Sequence, residues 1–148
     1  MSLEQKISEA IKTAMREKDR VALDSLRAVK AQILLLQTEA RGAEVSPEQE
    51  IAILQRMIKQ RKDSYDQFTA QGRTDLAEVE EAQSKIIEKF LPKQLSADEL
   101  ESEINKIISE TGAESLKDLG KVMGVASKAL AGKSDGKSIS EMVKKLLS

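Results

Sequence analysis

Apolar residues recur at intervals of three and four along nearly the whole chain, and no stretch alternates cleanly between apolar and polar, which restricts the fold to helices. The pattern opens with Leu3, Ile7, Ala10, Ile11, Ala14 and Met15 and continues through Ala22, Leu26, Val29, Ile33 and Leu36, the inner stripes of two amphipathic helices. Gly42 interrupts it. Ser46-Pro47-Glu48-Gln49 then supplies an N-cap, a proline at the first helical position and acidic or amide residues in the first turn. A third helix therefore starts there, with Ile51, Leu54, Ile58, Tyr65 and Phe68 on one stripe, and runs to about Gln71 before Gly72. Thr74 is expected to cap a fourth, with Asp75 in its first turn and Leu76, Val79, Ile86, Ile87 and Phe90 on its buried side as far as Pro92.

Beyond residues 93–95 the pattern starts afresh. Ser96 with Glu99 forms a capping box, followed by Leu100, Ile104, Ile107 and Ile108 before Gly112. Ser115 or a neighbour begins a sixth helix through Leu119, Val122, Met123, Ala126 and Leu130, ended by Gly132. Ser134 or Asp135 caps a seventh carrying Ile139, Met142, Val143 and Leu146. The expected architecture is all-α: an antiparallel bundle of four longer helices in residues 1–93, then a small three-helix domain in residues 94–148, near the lower size limit for folding alone.

Composition narrows the chemistry. The 148 residues include no His, Cys or Trp, so no imidazole- or thiol-based nucleophile pair can form and no zinc site of Cys or His exists. We expect no catalytic residue, no metal site and no cofactor; any catalysis would rest on carboxylates, Lys, Ser or Thr, or a borrowed group. No apolar run approaches the roughly 20 residues that span a bilayer. Met1-Ser2-Leu3-Glu4 places an acid where a signal peptide would be basic, so a cytoplasmic protein away from membranes is the expectation.

Charge is uneven along the chain. Residues 1–93 carry 16 basic and 16 acidic side chains, residues 94–115 one Lys against six acids, and residues 116–148 seven Lys against three acids. An acidic helix thus precedes a basic tail. Two readings stand: the charges cancel within a folded domain, or the last two helices present a lysine face to phosphate.

Several motifs invite functional assignments. Gly132-Lys133-Ser134-Asp135-Gly136-Lys137-Ser138 contains Gly-Lys-Ser twice, but a phosphate-binding loop needs an earlier glycine, and that position is Ser127 or Ala131. A helix-turn-helix corner explains it better: Gly132 in the left-handed region, Asp135 as a cap, Gly136 keeping the turn narrow, and Lys133 and Lys137 flanking the free N–H groups of the last helix. Gly120 and Gly124 share a helical face, and the close approach of a neighbouring helix or of a ligand would account for them; Met123 reads as core. Lys59-Gln60-Arg61-Lys62-Asp63-Ser64, with Arg56, reads as a solvated face, and Arg73 as a partner for a carboxylate across the turn, fixing the corner. The acidic runs Glu78-Glu80-Glu81 and Asp98-Glu99-Glu101-Glu103 read as surface charge. The aromatics Tyr65, Phe68 and Phe90 all precede the basic tail, so any RNA bound there would be recognised by shape and backbone.

Taken together, Leu26-Arg27, Lys59-Gln60-Arg61-Lys62-Asp63-Ser64, Gly72-Arg73-Thr74-Asp75-Leu76, Leu91-Pro92-Lys93-Gln94-Leu95-Ser96, Gly120-Lys121-Val122-Met123-Gly124, and Gly132 with Asp135-Gly136 closely resemble the bacterial YqeY-like proteins, the GatB/YqeY family, over essentially the whole chain. It departs from the family pattern at Gln83, where Glu is common, and at Phe90, where Tyr is common. The resemblance implies a three-helix domain similar to the tail of GatB, a subunit of glutamine-dependent aminoacyl-tRNA amidotransferase, where the tail contacts tRNA and the carbon-nitrogen ligase chemistry occurs elsewhere. This chain has no counterpart of that catalytic part. The leading expectation is a non-catalytic module binding tRNA or another structured RNA, with Lys121, Lys128, Lys133 and Lys137 on phosphates and Gly124 and Gly136 allowing close backbone approach. Two alternatives stand beside it: an accessory component working with an amidotransferase or aminoacyl-tRNA synthetase partner, and a helical protein-interaction module.

Overall fold

A computed structural model describes residues 1–42 and 44–148, and the regular structure among them is entirely helical. The elements are α1 Leu3–Glu17, α2 Arg20–Glu39, α3 Pro47–Ala70, α4 Thr74–Glu88, α5 Ala97–Thr111, α6 Leu119–Ala129 and α7 Gly136–Leu147, with a one-turn 3₁₀ helix at Leu116–Asp118 before α6. This is the all-α class that the apolar spacing dictates.

Three starts use one device. Ser2, Ser46 and Ser96 each accept a hydrogen bond from the backbone N–H three residues on, at 3.2 Å, while Gln5, Gln49 and Glu99 reach back to the serine's own N–H. Two otherwise orphaned donors are satisfied at each start. Asp19 caps α2 and Asp135 caps α7 with one bond each, at 3.1 and 2.6 Å. The stops are less uniform. Gly112 ends α5 at φ +70°, whereas the break between α1 and α2 has no glycine and places Lys18 in the left-handed region at φ +57°.

Thr74 is not the cap of α4. It is the first helical residue; Arg73 occupies the cap position without a side-chain cap bond and instead holds Asp75 through two hydrogen bonds, at 3.2 and 3.1 Å. An arginine that clasps the first-turn acid secures the turn without using the hydroxyl. The helix also stops at Glu88 rather than running to Pro92, because Lys89, Phe90 and Leu91 bond back in tighter three-residue turns.

Packing divides the chain into two compact units, Met1–Leu91 and Pro92–Ser148. In the first, α3 packs on α4, α1 on α2, and α2 on both α3 and α4, around Ile7, Leu26, Val29, Leu54, Met57 and Ile87. The buried stripe of α4 is Ala77, Ser84 and Ile87, and Val79 lies 40 % exposed, contrary to the apolar pattern. Small residues let helix axes approach, so Ala77 and Ser84 take the inner face that hydrophobicity assigned to the larger Val79. Ile53 and Met57, not Ile51, face inward on α3, and Met15 is 55 % exposed at the end of α1.

In the second unit, Leu100, Ile104, Ile107, Val122, Ala126, Leu130, Ile139, Val143 and Leu147 form the core of three mutually packed helices. Leu95 N–H donates to the Lys133 carbonyl at 2.9 Å, and Lys121 Nζ donates to the Thr111 carbonyl at 2.9 Å. The end of α6 therefore lies beside the start of α5, and its start beside the end of α5. The three helices run up, down and up, which gathers the starts of α5 and α7 and the end of α6 at one pole.

Candidate nucleic-acid interface

The ionic pattern differs between the units. Among the described residues, the side-chain ion pairs within 4.0 Å are Lys12–Glu9, Lys59–Asp63, Lys62–Glu88, Arg73–Asp75 and Lys85–Glu81, all in Met1–Leu91. None involves the second unit. Its lysines from residue 117 onward, Lys117, Lys121, Lys128, Lys133, Lys137, Lys144 and Lys145, are all exposed, with no carboxylate inside that distance among the described residues. The cancellation that the balanced composition allowed does not take the form of close pairs.

Lys121, Gly124 and Lys128 come to one face of α6. With Gly120, Val125 and Ala129 they line a shallow, open depression, since residues 120, 124 and 128 and residues 121, 125 and 128 recur at one-turn spacing. Both glycines are exposed, and a Cβ built on either would meet nothing within 4 Å. The neighbouring-helix explanation for these glycines is therefore overturned: α5 and α7 pack on the opposite side, against Val122 and Ala126. A glycine inside a helix costs about 0.5–1 kcal/mol relative to alanine, and no contact among the described residues accounts for this pair.

The four lysines are not equivalent. Lys121 closes the end of α5 by its bond to the Thr111 carbonyl, one of the orphaned acceptors of a helix terminus. It also stands near Asp118, whose carboxylate is held below the ordinary carboxylate range by hydrogen bonds from the Glu114 and Ser115 backbone, with a smaller contribution from the Lys121 charge. Lys128, in the last turn of α6, makes no side-chain hydrogen bond among those described. Lys133 and Lys137 sit past the end of this face, at the corner between α6 and α7.

That corner is built as a turn. Gly132 is buried at φ +78°, and Asp135 accepts from Ser138 N–H to start α7. Gly136 does not narrow the turn: it is the first residue of α7, without a positive φ, and a Cβ there would meet nothing within 4 Å. The Asp135 cap already sets the helix start, so glycine is not sterically required. Met123 is half-buried against the core, as its spacing indicates.

Val125, 40 % exposed, and Leu116, 50 % exposed, add apolar surface on and before α6 that attention to lysines alone misses; the i+4 step from Lys121 is the signal that places Val125 on this face. A separate groove between the starts of α5 and α7 is lined by Ser96, Ser134, Ser138, Glu141 and Lys145, and its acid sets it apart from the α6 face. Among the described residues no group of three or more acids is placed to hold a metal ion. Among the described residues no helix is long and apolar enough to cross a membrane.

Residues 4–147 match the family described as Yqey-like protein. The chain belongs to the YqeY-like family. Two relatives are similar, both named Altered inheritance of mitochondria protein 41, mitochondrial. The one from Meyerozyma guilliermondii is 38% identical over 86 residues, which span 55% of this chain and 42% of that protein. The one from Pyrenophora tritici-repentis is 27% identical over 139 residues, 93% of this chain and 76% of that protein. The YqeY-like match thus takes in both compact units and every lysine from Lys117 to Lys145.

Proposed function

We propose that this YqeY-like chain is a non-catalytic module that binds tRNA or another structured RNA through the lysines of Pro92–Ser148, acting in the cytoplasm beside the enzymes that use that RNA. One observation carries the reading: seven exposed lysines from residue 117 onward have no carboxylate within 4.0 Å among the described residues, while the ion pairs all lie in the other unit. Unpaired ammonium groups lose little on meeting phosphate and release counterions from it. On α6, Lys128 and Lys121 flank Gly120 and Gly124, where the missing side chains leave the helix surface open to a sugar-phosphate backbone. Lys133 and Lys137 extend the contact past the helix end, and Gly136 leaves that approach unobstructed. The tail has no aromatic ring, so contacts would be to backbone and shape rather than to stacked bases.

Titration of structured RNA over a salt series tests the proposal. Four phosphate contacts should give a log-log slope of about −3 to −4. Replacing Lys128, Lys133 and Lys137 by Gln should flatten the slope by about one unit each. Failure of the wild-type chain to bind at the lowest salt would remove the proposal. A protein-interaction reading is favoured by Leu34 and Leu35 on α2, 46 % and 52 % exposed; self-association or partner capture lost on Leu35→Glu, without any RNA affinity, would select it.

A further inference from the structure

The segment Pro92-Lys93-Gln94-Leu95-Ser96, which opens the second unit, does more than lead into α5. Leu95 packs against the unit's core, and its N–H donates to the Lys133 carbonyl at 2.9 Å. The side-chain amide of Gln94 donates to the Gly132 carbonyl and, at 3.0 Å, to the Pro92 carbonyl. Two consecutive carbonyls of the α6–α7 corner are thus held by donors from a segment almost forty residues earlier in the chain.

The held peptide follows a glycine. Gly132, at φ +78°, has the widest backbone freedom of any residue type. Lys133 N–H already bonds the Leu130 carbonyl at 2.9 Å, so with its carbonyl fixed by Leu95 both of its backbone polar groups are engaged. The direction in which Lys133 leaves the backbone follows from that double anchoring, and the Gly132–Lys133 peptide is anchored in turn by Gln94. The Pro92 ring fixes one φ of the segment that presents the amide.

We propose that Gln94 is a positioning residue for the lysine corner, and that polyanion binding at Lys133 and Lys137 and ordering of the Pro92–Ser96 segment are thermodynamically coupled. The proposal rests on the RNA reading above. Gln94 touches no RNA; it holds the peptide from which Lys133 projects. Coupling of this kind is reciprocal, so a segment that orders the lysines is itself ordered when they bind.

The full-length chain, with a structured RNA such as tRNA as the probe, supplies the test. Gln94→Met keeps the side-chain length and removes the donor. It should weaken binding about fivefold at fixed low salt and make the salt slope shallower by about one unit, with helical circular dichroism unchanged. In the wild-type chain, which needs no substitution, the Leu95 amide should exchange its hydrogen about fivefold more slowly when RNA is saturating. That slowing should be absent in Gln94→Met. Equal affinity and slope for the variant, or a Leu95 amide indifferent to RNA, overturns the coupling while leaving RNA binding in place. No binding by the wild type at the lowest salt overturns both.

Discussion

Ser84 and Ser25 are both buried, at 4 % and 0 % exposure, yet they differ in one bond. Ser25 donates to the Ala22 carbonyl at 2.9 Å, while the Ser84 hydroxyl has no partner among the described residues. An unsatisfied buried hydroxyl retains its desolvation cost with no bond to offset it. Ser84→Ala should therefore leave stability unchanged or raise it by up to about 1 kcal/mol, measured by urea unfolding; a loss larger than that would mean the hydroxyl is bonded after all. Arg61 makes a similar point about polar runs. Within Lys59-Gln60-Arg61-Lys62-Asp63-Ser64 it turns inward, donating to Gln83 Oε1 and to the Met57 carbonyl, both at 3.3 Å, while Gln83 donates to the Val21 carbonyl at 3.5 Å. Lys59 and Lys62 pair outward with Asp63 and Glu88. Composition marks the run as solvated, but which of its members turns toward α4 depends on helix phase against a neighbour.

At the scale of the element, α6 offers a trade between stability and binding. Gly120→Ala and Gly124→Ala meet open space and should each stabilise the second unit by about 0.5–1 kcal/mol in thermal unfolding. If close backbone approach matters, the same variants lose RNA affinity; if they gain stability and bind as before, the glycines are not part of the contact. The capping boxes differ in a way that pH should reveal. α1 and α3 close theirs with Gln5 and Gln49, which do not titrate, whereas α5 uses Glu99. Bonds from the Ser96 backbone and hydroxyl hold the Glu99 carboxyl below its ordinary range. A folded-state value below the unfolded one contributes stability that is present above about pH 4.3 and is lost as pH falls through the lowered value. Acidification from about pH 6 to about pH 3 should loosen the start of α5, and Glu99→Gln, which can keep the box, should reduce that acid sensitivity in amide exchange at residues 97–100. Glu50 works with the opposite sign: burial raises its carboxyl, so its contribution favours the folded state at low pH and fades as pH rises through the raised value.

For the molecule as a whole, the separate cores matter most. Ile7, Leu54 and Ile87 belong to one, and Ile104, Val122 and Val143 to the other, with none of the described residues shared. Ile104→Ala should cost about 2–5 kcal/mol, and hydrogen exchange should show the loss in α5–α7 while α1–α4 keep their protection. Uniform loss through all seven helices would mean that the chain unfolds as a single cooperative unit. Among the described residues the ion pairs lie in one unit only, while exposed lysines without close carboxylates occur in both, Lys6, Lys18 and Lys89 in the first and all those from Lys117 onward in the second. Even charge over the whole sequence therefore hides an uneven distribution of paired and unpaired groups.

Local chemistry alone determined the helices and most of their starts. A serine three residues before Gln or Glu, Pro47 after Ser46, and Gly112 after Ile108 act through neighbours on the chain, so Ser2, Ser46 and Ser96 do in space what their spacing requires. Contacts between distant residues decided the rest. Ala77 displaced Val79 from the inner face of α4 because helix axes approach where side chains are small. Lys121 became a donor to the last carbonyl of α5, beyond the Gly112 cap, because α6 begins beside Thr111. The glycines of α6 turned outward because the core claims Val122 and Ala126. Helical periodicity settles which residues share a face, but only the packing of one helix on another selects the face that stays in water.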